Sequence, residues 1–430
     1  MLHKRTLIKL FLIPVDKVHQ LFYLSKRDLV YYCYYAGILL AYIGSLDPWF
    51  MWRFYMIYPV VAFLPIFMSM LMSLHLKTPV FTRKDFMSAF ICYLLLVFMM
   101  ALVNGRNING FIFLVFNATI FLSLFRLEKD GLVRISTFLC KSMAVMMCFS
   151  IPFFILYLIG FPLPHYHIVN EEFQYSYENF RFFLLDDRSA MFFVPRFHSV
   201  FLEPGHLGTA CTFLLLTQIG KWKRWYNLIL FFTIFITFSL AAYVLLAMTF
   251  FCAAWIQRKA IVGKILLLVG ILSIVVVTSI FYNKGDNLVN QLIVQRLTID
   301  EDGKLEGDNR VTSMFETEYD NYIKSDDILW GREYISMKYG WGNAGYRVFI
   351  FQNGIIVLLL VFVFYIIFAL QGVDRRAMMV MLAIAVASFI VRSTPLAYYY
   401  FIPLFVLSQI DQRLLKENEQ NESDSHINDN

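Results

Sequence analysis

Apolar runs of membrane-spanning length recur along the whole of this chain, separated by short punctuation rich in lysine and arginine. A run of that kind satisfies its backbone internally only as a helix when water is absent, so the pattern prescribes a chain that crosses a bilayer repeatedly. A hydrocarbon core is crossed by about 20 apolar residues in a helix, with a usual range of ~17 to 25. On that ruler helices are expected near Leu29–Leu46, Phe54–Leu74, Phe86–Asn104, Asn109–Phe125, Phe138–Gly160, Ser199–Gly220, Gly263–Tyr282, Tyr346–Leu370, Ala377–Val391 and Ala397–Ile410. Composition agrees, since 59% of the 430 residues are hydrophobic and 16% charged, against about half and about a quarter in soluble domains.

The remaining run, Tyr226 to Ile256, is bounded by basic residues at both ends (Lys221, Lys223 and Arg224; Arg258, Lys259 and Lys264). Basic loops stay on the cytoplasmic side, so this run begins and finishes inside and resolves into two helices turning near Thr237-Phe238-Ser239. Lys77, Arg83 and Lys84, then Arg126, Lys129, Arg134 and Lys141, and later Arg375 and Arg376 mark further inner loops. The expectation is an all-α polytopic integral membrane protein of about twelve transmembrane helices, both termini cytoplasmic, with a large outer loop before the third-last helix.

Its parts are a basic amphipathic N-terminus (1–28), a first transmembrane bundle (29–160), an outer loop (161–198), central helices (199–282), the large outer loop (283–345), C-terminal helices (346–410) and a disordered cytoplasmic tail (411–430). The net charge of +6 is explained by the positive-inside bias, not by nucleic acid. All six cysteines, Cys33, Cys92, Cys140, Cys148, Cys211 and Cys252, lie in apolar segments without zinc-site spacing and read as small hydrophobes. His165, His167, Glu171 and Glu172 imitate a metal cluster but lack ligand spacing and read as a polar amphipathic segment. Tyr398-Tyr399-Tyr400 and the tryptophans at helix ends read as interfacial belts.

Two segments carry chemistry. Arg196-Phe197-His198-Ser199-Val200-Phe201-Leu202-Glu203-Pro204-Gly205-His206-Leu207-Gly208 sits at the outer mouth of a membrane helix, where charge is costly and usually kept for function. Pro204 and Gly205 interrupt the helix and free N–H groups for an anion; the plainer alternative is a snorkelling Arg196 paired with Glu203. The second segment brings Arg310, Arg332 and Arg347 into one glycine-punctuated loop, through Gly307-Asp308-Asn309-Arg310, Leu329-Trp330-Gly331-Arg332 and Gly340-Trp341-Gly342-Asn343-Ala344-Gly345-Tyr346-Arg347. Arginines converging on one pocket can hold a diphosphate bidentately; the alternative is an ordinary solvated loop.

Arg196 to Gly208 resembles the Arg-x-x-Gly/Ser-x-Phe-x-Glu-Pro motif of Wzy-type O-antigen and capsule polymerases. The resemblance extends through Thr237-Phe238-Ser239, the loop segments at Arg310 and Gly331, and Phe351-Gln352-Asn353-Gly354-Ile355, and so covers Arg196 to Leu370. Ser239 is followed by Leu240 where many relatives carry a basic residue, and Arg332 stands where a second glycine is usual. The related O-antigen ligases use a histidine in the large outer loop, and none occurs between Asn283 and Arg347 here.

That resemblance implies a GT-C-like membrane glycosyltransferase of the bacterial inner membrane, acting in lipopolysaccharide or capsule biosynthesis without metal or other cofactor. Its donor and acceptor would be undecaprenyl-diphosphate-linked oligosaccharides, its surroundings membrane lipid, and a chain-length regulator a possible partner. On this reading Arg196, Arg310 and Arg347 bind the diphosphate, Glu203, Arg310 and Arg196 are catalytic, and His206 or His198 is an alternative proton acceptor or substrate contact. A transporter or flippase of lipid-linked saccharides, or an O-antigen ligase, stays open.

Overall fold

The computed structural model describes residues 25–54, 57–103, 108–171, 174–187, 195–257, 261–285, 287, 290, 311–340 and 343–409. Helices dominate: α1 Lys26–Gly44, α2 Tyr58–His75, α3 Met87–Val103, α4 Ile108–Arg126 and α5 Lys129–Leu158 precede a small sheet. After it come α6 Pro204–Leu216, α7 Trp225–Ile236, α8 Leu240–Gln257, α9 Ile261–Phe281, α10 Ser313–Tyr322, the single turn α11 Ser336–Tyr339, α12 Tyr346–Leu370, α13 Arg375–Val391 and α14 Tyr398–Gln409. Among the described helices four, α2, α5, α8 and α12, are long and apolar enough to cross a membrane. Large apolar side chains on their outer faces, such as Leu64, Phe149, Val244 and Leu359, are left exposed, as suits helices bathed in hydrocarbon.

The chain is not wholly helical. Residues within 161–198 form an antiparallel sheet, β1 Tyr166–Asn170, β2 Tyr175–Asn179 and β3 Leu184–Asp186, in the order β1-β2-β3. Alternation explains it: Tyr175-Ser176-Tyr177-Glu178-Asn179 buries Tyr177 and Asn179 on one face and leaves Ser176 and Glu178 half-buried on the other, a period of two and not of 3.6. His165 reaches Glu178 at 3.7 Å and His167 reaches Asp187 at 3.8 Å, as separate contacts on this hairpin. No group of three metal-binding side chains occurs among the described residues.

Two further expectations are corrected. The helix expected over Ser199–Gly220 starts only at Pro204 and has 13 residues, roughly 20 Å at 1.5 Å per residue, because proline favours the first turn and lacks the N–H needed further in. Tyr398, Tyr399 and Tyr400 are not an interfacial belt. They are 3%, 2% and 1% exposed, because α14 is the axial helix of the bundle, buried along its whole length. Their hydroxyls bond Asn117, Thr394 and the Ala385 carbonyl, as buried tyrosines require.

Around α14 the core is aromatic: Phe86, Phe121, Phe125, Phe364, Phe368, Phe401 and Phe405 pack with ring centroids 4.7–6.0 Å apart. The loops gather at two ends. At the basic end Arg83 N–H bonds the Arg126 carbonyl, Arg83 Nη2 donates to Gln409 at 2.8 Å, Val373 N–H bonds Ser408 and Arg376 bonds the Trp255 carbonyl. At the sheet end Trp49 N–H bonds Val200, Leu184 N–H bonds Ser199, Phe197 N–H bonds Ile236, and Ser45 Oγ accepts from Tyr399 N–H.

The described residues of the 311–345 segment form a unit of their own over the start of α12, with Phe315, Tyr322, Tyr339, Val348 and Phe351 as its core. Thr312 caps α10 by accepting the Phe315 N–H at 3.2 Å and donates to the Tyr339 carbonyl at 2.7 Å. Thr312→Ala removes both bonds and is expected to destabilise the unit by about 1–2 kcal/mol. Thermal unfolding in detergent checks this, and an unchanged midpoint would contradict the capping role.

Candidate functional site

The site begins with backbone that is not helical. Residues 197–202 are buried, and a buried segment outside a helix has to find partners for its amides elsewhere in the protein. It finds them on all sides: Phe197 on Ile236, Leu202 on Asp47, and Ser199 and Val200 through their carbonyls on Leu184 and Trp49. Phe201 pairs with Pro48 as an isolated bridge. Ser199 takes φ +53° to make the turn. The motif is therefore stitched at once to the loop after α1, to β3 and to the α7–α8 turn.

That turn is sharp, because Phe238 has φ +46° between the end of α7 and the start of α8. Thr237 and Ser239 beside it are buried, and Ser239 Oγ accepts from Ala242 N–H at 3.4 Å. Arg196 Nε donates to the Thr237 carbonyl at 3.3 Å. A Cβ on Gly208 would lie 2.6 Å from Ala242 Cβ and 3.1 Å from Thr237 Oγ1, so glycine is what lets α6 press against the turn.

Glu203 is the N-cap of α6, in extended conformation, with Pro204 at the first helical position. Its Oε2 accepts from Arg392 Nη2 at 3.0 Å, the side chains being 18% (Arg392) and 33% (Glu203) exposed. Sequence reading did not single out Arg392, which lies 189 residues away at the end of α13. Its only signal was a lone arginine closing an apolar run. Gly205 gives it room: a Cβ there would collide with Arg392 Nη2. A carboxylate and a guanidinium thus meet at a helix start, where the His206 and Leu207 N–H groups bond the Glu203 carbonyl, and the two charged groups are ones that move protons or stabilise anions.

The two histidines are placed differently. His198 is fully buried and its Nδ1 donates to the Phe201 carbonyl at 2.6 Å, closing the turn that carries Ser199. Burial disfavours its imidazolium and holds its pKa down to about 4, so at neutral pH the ring is a neutral staple. His206 lies one turn into α6 with its ring 5.8 Å from that of Tyr399 and within electrostatic reach of Glu203 and Arg392. Its Nδ1 is buried without a hydrogen-bond partner among the described residues.

Arg347 stands in the first turn of α12, 3.5 Å from Glu316. Ser393, next to Arg392, donates to the Gly345 carbonyl at 2.8 Å, so the start of α12 and the guanidinium of Arg392 are joined by neighbouring residues. Arg310 lies outside the described residues. Arg332 is engaged by Asp327 at 2.7 Å and Glu318 at 3.2 Å and stacks over Tyr322. Its task is to hold the 311–345 unit together.

The unit docks onto α12 through two glycines. Gly354 interrupts α12 at φ +74°, ψ 172°, where a Cβ would strike the Leu329 carbonyl. Gly331, at φ +88°, lies so close to Gln352 that its Cβ would be 2.7 Å from that carbonyl, and Arg332 N–H bonds Phe351. The residues Leu329–Arg332 and Phe351–Gly354, separate in sequence, form one backbone-to-backbone contact.

A mostly helical protein with membrane-type helices and a charged, partly buried site at one end is the class these features define. Comparison with protein-family models, with curated proteins and with solved structures finds no match.

Proposed function

We propose that the chain is a membrane-embedded glycosyltransferase that joins polyprenyl-diphosphate-linked oligosaccharide repeat units, with about twelve crossings and the sheet end facing away from the cytoplasm. The observation that carries the reading is the Glu203–Arg392 pair at the broken start of α6, on a motif resembling that of the Wzy-type polymerases. The basic loops gathered at the opposite end support the orientation.

The reaction forms a bond from an acceptor hydroxyl oxygen to the donor's anomeric carbon and breaks that carbon's bond to the lipid diphosphate. The departing diphosphate takes the electron pair, and the hydroxyl proton goes to a base. Glu203 is the base on this reading, and Arg392 joins Arg196, Arg310 and Arg347 as cations for the diphosphate. A carboxylate paired with arginine is a poor base. A diphosphate that draws Arg392 towards itself would restore the basicity of Glu203 only when donor is bound.

Purified chain in nanodiscs, given its host's lipid-diphosphate repeat unit, is expected to yield a ladder of lengthening products. Glu203→Gln, which keeps the shape and loses the base, is expected to slow the ladder by about 10²–10⁴-fold. Absence of a ladder from folded wild type, with the lipid-linked sugar crossing the bilayer instead, would replace the enzyme by a transporter.

A further inference from the structure

A crevice between α6, α7 and α8 at the basic end takes no part in this reaction. Its volume is about 150 Å³, and Leu215, Phe231, Leu246 and Phe250 wall it, with Trp222 and Asn227 also in its lining. An apolar cavity of this order excludes water and accepts hydrocarbon. Leu228, on the same lining, is 55% exposed, so the crevice lies at the bundle surface where an acyl chain can enter.

The charge along the segment that forms it has one sign. Lys221, Lys223 and Arg224 lead into α7, and no aspartate or glutamate occurs from Pro204 to Gly285. Lys141 of α5 adds a further cation 5.9 Å from the Tyr226 ring. The positive end of the α7 dipole lies there too, with Arg224 as its N-cap in place of an acidic residue. Asn227 is buried and held by its Nδ2 on the Lys221 carbonyl at 2.9 Å, while its Oδ1 and Trp222 Nε1 have no hydrogen-bond partner among the described residues. An apolar slot and an electropositive rim match the two halves of one kind of molecule.

We propose that this crevice binds an acyl chain of an anionic glycerophospholipid, whose phosphate sits against Lys221, Lys223 and the first turn of α7. The site requires only that the apolar helices lie in a bilayer, and is independent of the glycosyltransferase reading.

The test is photolabelling of the full chain in phosphatidylcholine nanodiscs carrying a trace of phosphatidylglycerol with a photoreactive acyl chain. Label is expected on peptides bearing Leu228–Phe231 and Leu246–Phe250. Unlabelled phosphatidylglycerol should compete at least about tenfold better than phosphatidylcholine, and free glycerol phosphate should not compete. Lys221→Gln combined with Lys223→Gln, both near the surface, should lower labelling about tenfold or more. Thr249→Leu, which fills the crevice, should lower it with the charges intact. Equal competition by the two lipids, label confined to other peptides, or a charge variant that labels like wild type would each overturn the site, whatever the polymerisation assay shows.

Discussion

Arg392→Ala is expected to lower turnover on lipid-diphosphate substrate by about 10²–10³-fold, the usual cost of removing one preorganised donor from developing negative charge. The same change removes one partner of Glu203, whose Oε2 accepts from Arg392 Nη2 at 3.0 Å. Loss of one partner of a fully buried pair costs about 3–5 kcal/mol, and the 33% exposure of Glu203 reduces that to roughly 1–2 kcal/mol. Arg392→Lys keeps the charge but loses the planar fork, so stability should return further than activity. Gly205→Ala should resemble Arg392→Ala in activity, since its methyl takes the space of the guanidinium. Chain-length ladders alongside thermal midpoints measure both effects. Wild-type turnover in Arg392→Ala would remove this residue from the site and leave the pair as a structural tie.

Gly354→Ala is expected to be the most destabilising single methyl in the sheet-end region. At φ +74° and ψ 172° the backbone is in a region essentially reserved for glycine, at a cost of about 1–3 kcal/mol for any other residue. The added Cβ also meets the Leu329 carbonyl, a backbone atom that cannot rotate away. The 311–345 unit should separate from α12 before the bundle unfolds, because its small core of Phe315, Tyr322, Tyr339, Val348 and Phe351 is distinct from the main one. Hydrogen exchange should show faster amides in Ser313–Tyr322 while those of α14 stay protected. Gly331→Ala, at φ +88°, should act on the same contact, so the double variant should lose less than the sum of the two. Unchanged exchange in both single variants would show that the unit stands without this contact.

Much of the helical part was legible because hydropathy is a local property. The apolar run at Tyr346–Leu370 becomes α12 with those same bounds, and the break at Thr237-Phe238-Ser239 falls between α7 and α8. In the site, Arg196, Glu203, Pro204 and Gly205 stood out because charge and helix breakers are rare beside apolar runs. The sheet was missed although Tyr175–Asn179 alternates, because aromatic and polar residues near a bilayer read equally well as an interfacial segment.

The sequence by itself determined which segments are apolar enough to seek helices, where proline and glycine interrupt them, and that the cations collect in particular loops. Tertiary structure alone decided that Glu203 faces Arg392, that Gly331 meets Gln352 and Gly354 meets Leu329, and that three consecutive tyrosines lie in the core and not at an interface. The physical reason is the same in each case. Transfer free energy and backbone propensity act on a residue and its near neighbours, whereas a salt bridge across 189 residues or a contact with no room for a methyl group exists only once the helices have packed.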